Sequence, residues 1–104
     1  MTFRILKRPQ AERDIEECFV YIGDDNVEIA LLFILAVEQS LDELSRFPSL
    51  GKTCEFQNEQ LQTMRGWHVK GYEDYLLFYL VNADSIELVR LLHSARDIDM
   101  LFDR

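Results

Sequence analysis

The stretch YLLFYLVNADSIELVRLLHS, residues 75–94, contains two apolar segments separated by four residues that favour a turn. Short apolar runs bounded by turn residues are typical of buried β-strands. We therefore predict strands at 75–81 and 86–94, joined by a turn at 82–85.

A third strand is predicted immediately upstream. The segment LQTMRGWHV, residues 61–69, has strand character centred on Thr63–Val69, and KGYED, residues 70–74, predicts a turn. Because the connections between the three strands are short, they should form an antiparallel meander.

The first half of the chain begins with a short strand and a helix. TFRILK, residues 2–7, alternates apolar and polar residues, as a strand does. Pro9 is suited to the first turn of a helix, and Gly23 is predicted to end that helix in the left-handed conformation. Asp25 followed by Glu28 resembles a capping box that starts a second helix. The apolar face of the first helix consists of Ala11, Ile15, Cys18, Phe19 and Ile22.

The second helix is predicted over residues 26–46 and ends before Pro48, which cannot continue it. Its core stripe is Ala30, Phe33, Ile34, Val37, Leu41 and Leu44. The last residues, 96–104, should form a short helix or a tail. The order β, α, α, β, β, β predicts an α+β fold: an N-terminal strand, a helical hairpin and a three-stranded antiparallel meander, with the helices on one face of the sheet. We expect one domain, residues 1–104.

Charge and hydropathy exclude several classes of protein. The net charge of −8 argues against strong direct binding to nucleic acid, because phosphate contacts require Lys and Arg. The longest apolar run, residues 29–37, is shorter than the ~20 residues of a membrane-spanning helix. The N-terminus has no apolar signal segment. We expect a cytoplasmic protein with no membrane partner.

The cysteines and histidines do not indicate a metal site. Cys18 and Cys54 form no CxxC motif, and His68 and His93 lack a third ligand at a recognisable spacing. We therefore predict no metal and no cofactor.

The second helix has more apolar surface than one core requires. Leu31, Leu32 and Leu35 lie off its core stripe. Either the helix is buried on more than one side within the monomer, or these leucines form a surface for a homodimer or for a peptide helix.

The second half of the chain contains five basic candidates for a functional site: Arg65, Lys70, Arg90, His93 and Arg96. Arg90 lies among apolar strand residues, so it needs an acidic partner or a ligand. Internal partners for Arg90 could be Glu73, Asp74 or Asp97. Strand alternation would place Arg90 on the face of Leu88 and Leu92, away from His93.

These groups could support one reaction. Arg and Lys can hold a phosphate while His93 or Tyr79 moves a proton, which is the equipment of a metal-free ribonuclease. The alternatives are that Arg90 forms an internal ion pair, that His93 is a hydrogen-bonded histidine, and that Arg96 with Asp97 fixes a turn. The spacing alone does not decide between them.

Three segments together resemble a known family. LSRFPSLGKT (44–53), MRGWHVKGYEDYLLFYLV (64–81) and IELVRLLHSARDI (86–98) are similar to the ParE branch of the RelE/ParE toxins of type II toxin–antitoxin modules, which include plasmid stabilisation proteins. The resemblance implies a helical hairpin on an antiparallel sheet. It also implies a cognate antitoxin whose C-terminal segment wraps the toxin. ParE-type toxins inhibit DNA gyrase, whereas RelE-type relatives cleave mRNA on the ribosome.

The resemblance also carries over to individual positions. Arg90 matches the arginine of the last long strand in both branches, and His93, Arg96 and Asp97 match the ParE-like ending. RNA-cleaving relatives have several basic residues on the middle strands, where this chain offers Arg65, His68 and Lys70.

We therefore predict a toxin that inhibits DNA gyrase through protein–protein contact and is neutralised by a cognate antitoxin. The candidate target-binding residues are Arg65, Arg90, His93 and Arg96, and the candidate antitoxin or dimer interface is Leu31, Leu32 and Leu35. One alternative is a ribosome-dependent mRNA endoribonuclease that uses Arg90, His93 and Lys70. Another is an inactive family member that only binds the antitoxin. The protein would assemble as a homodimer or as a toxin–antitoxin hetero-oligomer.

Overall fold

The computed structural model describes residues 2–56, 58–96 and 98–102, except for the side chains of Gln60, Asp99 and Met100. Two long helices occupy the first half of the chain, as predicted. Helix α1 spans Pro9–Asp25 and helix α2 spans Val27–Arg46. No helix in the described ranges is both long enough and apolar enough to span a bilayer.

The corner between the helices differs from the prediction. Helix α1 continues through Gly23, which does not adopt a positive φ, so its predicted left-handed end is wrong. Asp25 is not the cap of α2. Asn26 is the single residue between the helices, and its side chain accepts a hydrogen bond from the Ile29 N–H at 3.2 Å. Its extended backbone (φ −156°, ψ 111°) turns the chain in one step, which is the conformation that a capping residue requires.

The strands form one five-stranded sheet. They are β1 (Arg4–Lys7), β2 (Lys52–Thr53), β3 (Arg65–Val69), β4 (Tyr72–Val81) and β5 (Ser85–His93), in the spatial order β1-β5-β4-β3-β2. The antiparallel meander β3–β4–β5 is confirmed. Strand β1 pairs in parallel with β5, and β2 adds an edge that the sequence did not predict.

The turn between β3 and β4 is shorter than predicted. It consists of Lys70 and Gly71, and β4 already begins at Tyr72. Gly71 has a φ of +81°, a conformation that glycine adopts without steric cost.

The sheet is covered on both faces. Helices α1 and α2 pack on one face around Phe33, Val37 and Leu44, as the two-layer prediction requires. On β4, Leu77 and Tyr79 belong to this cluster, whereas Phe78 belongs to a second cluster on the opposite face. The terminal helix α3 (Ile98–Phe102) packs in that second cluster, together with Phe56, Met64, Val89 and Leu92.

A β-bulge changes the alternation of β5. Phe78 pairs with Arg90 while Tyr79 pairs with Leu88, so Val89 is an extra residue in the strand. Leu88 consequently shares the helix-covered cluster with Leu91, and Leu92 belongs to the other cluster. The expectation that Leu88 and Leu92 share a face is wrong for this reason.

Candidate functional site

A cleft forms where β5 continues past the end of β1. Strand β1 stops at Lys7, opposite Leu88, and the Arg8 N–H donates to the Leu88 carbonyl at 3.0 Å. Beyond that point no described strand pairs with β5 on this side, and helix α1 packs against it instead. The cleft between α1 and β5 has a volume of about 530 Å³. It is lined by Asp14, Glu17, Cys18, Tyr21, Tyr75, Leu91, Leu92, His93 and Arg96.

Asp14 is the residue that joins α1 to β5. Its carboxylate accepts hydrogen bonds from Arg90 Nε at 2.8 Å and from Arg90 Nη2 at 3.0 Å. It also accepts the backbone N–H of Leu91 at 3.0 Å, which replaces the missing strand partner. The side chains of Arg90 and Asp14 are only 19% and 4% exposed, so the ion pair is largely dry.

The predicted partners of Arg90 are therefore corrected. Glu73 and Asp74 are exposed and do not pair with it, and Asp97 lies outside the described residues. Asp14 could have been noticed in the sequence. It follows Ala11 by three positions and precedes Cys18 by four, so a carboxylate borders the apolar face of α1.

His93 is held at the mouth of the cleft. The Ala95 N–H donates to its Nδ1 at 3.0 Å, so the neutral ring carries its proton on Nε2. The ring lies edge-on to Tyr75, with centroids 5.0 Å apart. His93 thus presents an N–H donor, and Arg96 beside it is exposed.

The Cys18 thiol and the Tyr75 hydroxyl, which line the cleft, keep their protons at neutral pH because the pKa of each is raised. Burial, and then the nearby carboxylates of Asp14 and Glu17, raise the pKa of Cys18 to about 11. Burial is also the main reason that the pKa of Tyr75 is raised. Since a thiol reacts as its thiolate, Cys18 lines the cleft without acting as a nucleophile.

Arg65 supports a different part of the fold. Its guanidinium donates to the Gly51 carbonyl at 2.6 Å. The Tyr79 hydroxyl donates to the Pro48 carbonyl at 2.7 Å and accepts the Gly51 N–H at 2.9 Å. Burial raises the pKa of Tyr79, although the Gly51 hydrogen bond and then Arg65 oppose this. The side chains of Arg65 and Tyr79 thus hold the segment that follows α2, and neither of them lines the cleft.

Lys70 is separated from the cleft as well. Its backbone N–H donates to Ser40 Oγ at 2.8 Å, and its side chain borders a depression on the C-terminal half of α2 with Glu38, Asp42 and Arg46. The structure therefore brings together only His93 and Arg96 of the five basic candidates. Tyr21 and Tyr75 also line the cleft, and the sequence did not indicate them because their position depends on how α1 lies beside β5.

The leucines of α2 are exposed. Leu31, Leu32 and Leu35 are 56%, 59% and 53% accessible, so the alternative that the monomer buries them is wrong. Among the described residues, no cluster of three or more His, Cys, Asp and Glu side chains could hold a metal ion.

Comparison with known proteins agrees with the resemblance noted in the sequence. A family model described as the ParE toxin of the type II toxin–antitoxin system parDE matches residues 5–98. A protein named Toxin ParE1 from Mycobacterium tuberculosis is 26% identical over 101 residues, which cover 95% of this chain and 97% of that protein.

Two solved structures share the fold. A chain of a chromosomal ParDE toxin–antitoxin system from P. aeruginosa superposes with a TM-score of 0.70 at 14% identity, covering 88% of this chain and 96% of that one. A conserved hypothetical protein from Helicobacter pylori gives a TM-score of 0.59 at 19% identity, with 90% and 97% covered. The family match over nearly all of its length shows that the chain belongs to the ParE toxin family of type II toxin–antitoxin systems.

Proposed function

We propose that this chain arrests growth by inhibiting DNA gyrase through protein–protein contact, and that a cognate antitoxin neutralises it. Membership of the ParE family supports the proposal. The observation that carries it is the pairing of Arg90 with Asp14, because this pair occupies the arginine that an RNA-cleaving relative would need for its substrate.

The remaining groups do not favour RNA cleavage either. A general base must accept a proton, but the His93 Nδ1 is already occupied by the Ala95 N–H. The Tyr79 hydroxyl is buried and used by the backbone. Lys70 and His93 border different depressions. With a net charge of −8, the chain also lacks the excess of cations that binding to ribosomal RNA requires.

We propose that the cleft contacts the target. Tyr21, which lines the cleft together with His93 and Arg96, is 79% exposed. Tyrosine and arginine are the residue types that most often dominate the energy of protein interfaces. Of the predicted target-binding residues, His93 and Arg96 would make direct contact. Arg65 and Arg90 would act by holding the fold.

We propose that Leu31, Leu32 and Leu35 belong to the antitoxin interface, in a toxin–antitoxin hetero-oligomer. Apolar side chains clustered on the exposed face of a helix are typical of a surface that a partner covers.

Expression in bacteria tests the proposal. The protein should arrest growth while transcripts stay intact, and the product of the adjoining gene should restore growth. The double variant Asp14→Asn, Arg90→Met keeps an acceptor for the Leu91 N–H and removes the buried charge, so it should fold and still arrest growth. Loss of arrest in this folded variant, or fragmented transcripts, would support an endoribonuclease instead.

A second pair of variants examines the cleft. Arg96→Glu should weaken arrest because it reverses an exposed charge at the proposed contact. Arg4→Glu is the matched control, because Arg4 is also exposed but lies on β1 and pairs weakly with Asp84 at 3.6 Å. Equal toxicity of the two variants would remove the cleft from the proposal. Absence of arrest in the unmodified protein would indicate an inactive family member.

A further inference from the structure

The entire net charge of the chain lies in the helical hairpin. Helices α1 and α2 contain ten carboxylates and two arginines, and the rest of the sequence contains nine acidic and nine basic residues. Of the ten, Asp14, Glu38 and Asp42 have an ion-pair partner within the described ranges, and the other seven have none there. The hairpin is therefore a strongly acidic surface beside a balanced sheet.

The same hairpin carries most of the exposed apolar surface. Seven of the eleven large hydrophobic side chains that are exposed in the described residues belong to it: Val20, Tyr21, Val27, Ile29, Leu31, Leu32 and Leu35. A monomer seldom concentrates so many on two neighbouring helices, and such a patch marks an interaction surface.

The apolar and acidic groups are interleaved on the outer side. Val27, Leu31 and Leu35 follow one another at intervals of four, so they form one exposed stripe along α2, beside its buried face. Glu38 and Asp42 continue that stripe towards the C-terminus of the helix.

On α1 the pattern is similar. Val20 lies between Glu16 and Asp24, each four residues away. At the tip of the hairpin, a groove of about 640 Å³ runs between Val20 and Ile29 and is bordered by Asp24 and Asp25.

We propose that this outer face is the docking site for a cationic amphipathic helix, whose apolar stripe covers the leucines of α2 and whose flanking Lys and Arg residues meet the carboxylates. An amphipathic helix in a groove is a common way to cover such a stripe. A second copy of the chain is a poor occupant, because a two-fold contact would oppose two acidic hairpins. The assignment of this helix to the antitoxin rests on the proposed function. The apolar and cationic character of the helix is inferred from the hairpin surface alone.

Two synthetic peptides test the inference. Both are about 18 residues long, which gives five helical turns. They share the same leucine stripe, and one carries lysine and the other glutamate at every flanking position. Binding of each labelled peptide to the full chain is measured by fluorescence anisotropy at increasing NaCl. The lysine peptide should bind at least about tenfold more tightly than the glutamate peptide, and its affinity should fall as salt screens the charges.

Matched variants show where the peptide binds. Leu31→Ser with Leu35→Ser should weaken the lysine peptide about tenfold or more, whereas Leu6→Ser, an exposed leucine on β1, should leave its affinity unchanged. Equal binding of the two peptides, or lysine-peptide binding that survives the double change in α2, would overturn the inference. So would a concentration-dependent dimer that the double change abolishes. The peptide experiment measures binding alone. If this chain failed to inhibit gyrase, the proposed function would be wrong, but the inferred docking site would not be affected.

Discussion

Replacing Asp14 by alanine should destabilise the fold more than any surface substitution. The carboxylate holds both the Arg90 guanidinium and the Leu91 N–H, and its side chain is 4% exposed. Removing one partner of a buried ion pair costs about 3–5 kcal/mol, because the other charge stays buried without compensation. Arg90 keeps 19% exposure and can recover some hydration, so we expect a loss of about 3–4 kcal/mol in the free energy of unfolding.

A loss of this size is easy to measure. Domains of this length have a total stability of about 5–15 kcal/mol, and each kcal/mol shifts Tm by about 4–8 °C. Tm should therefore fall by about 12–32 °C, which circular dichroism and the fluorescence of Trp67 would both measure. Urea titration gives the free energy directly, provided that the m-value is unchanged.

Two controls separate the buried pair from ordinary charge effects. Asp42→Ala breaks the exposed Asp42–Arg46 pair on α2 and should cost less than about 1 kcal/mol. The double variant Asp14→Asn, Arg90→Met should be more stable than Asp14→Ala, because it leaves no unpaired buried charge. If Asp14→Ala costs no more than Asp42→Ala, the carboxylate does not anchor α1 to β5 and the account of the cleft is wrong.

Three further predictions follow from local geometry. Gly51→Ala should lower the free energy of unfolding by about 1–3 kcal/mol or more, because a Cβ there would lie 2.5 Å from the Tyr79 hydroxyl and 2.9 Å from a backbone oxygen. Gly23→Ala should raise it by about 0.5–1 kcal/mol, because α1 has room for a methyl group there. Urea unfolding compares the two variants, and equal effects would contradict the geometry. Asn26→Ala should lower the free energy of unfolding by about 1 kcal/mol because it removes the cap of α2, whereas Asp25→Ala should lower it by less than about 0.5 kcal/mol. If thermal melts show a larger loss of Tm for Asp25→Ala, Asp25 is the cap instead. Because the pKa of Cys18 is about 11, iodoacetamide should label Cys18 at pH 8 far more slowly in the folded protein than in the unfolded chain, measured in a variant that lacks Cys54. The free energy of unfolding should also fall as pH rises from 9 towards 11, since folding disfavours the thiolate. Equal labelling rates in the folded and unfolded states would contradict the raised pKa.

The sequence predicted elements whose signal is local. The run at 75–81 lies within β4 and residues 86–93 lie within β5, and the stripe from Ala30 to Leu44 lies on the buried face of α2. The short β2 strand, Lys52–Thr53, was not predicted because two residues do not establish a period. The parallel pairing of β1 with β5 was not predicted because it joins distant segments of the chain.

The candidate site was less predictable because it depends on such distant contacts. Arg90 was expected to need an acidic partner or a ligand, and the internal acids proposed for it, Glu73, Asp74 and Asp97, were closer to it in sequence than its actual partner. Its partner Asp14 is 76 residues away. The bulge at Val89 also changed which side chains share a face, and a strict alternation could not reveal it. The position of Leu31, Leu32 and Leu35 off the core stripe was visible in the sequence, but only the structure shows that the monomer leaves them exposed.

Purified DNA gyrase provides the most direct measurement of whether this chain acts on a protein target. The chain is titrated into a supercoiling reaction on relaxed plasmid, with the Arg96→Glu variant beside it. We predict that supercoiling stops at saturating protein, that the variant inhibits less, and that preincubation with the antitoxin restores the reaction. Undiminished supercoiling at saturating protein would contradict the proposal.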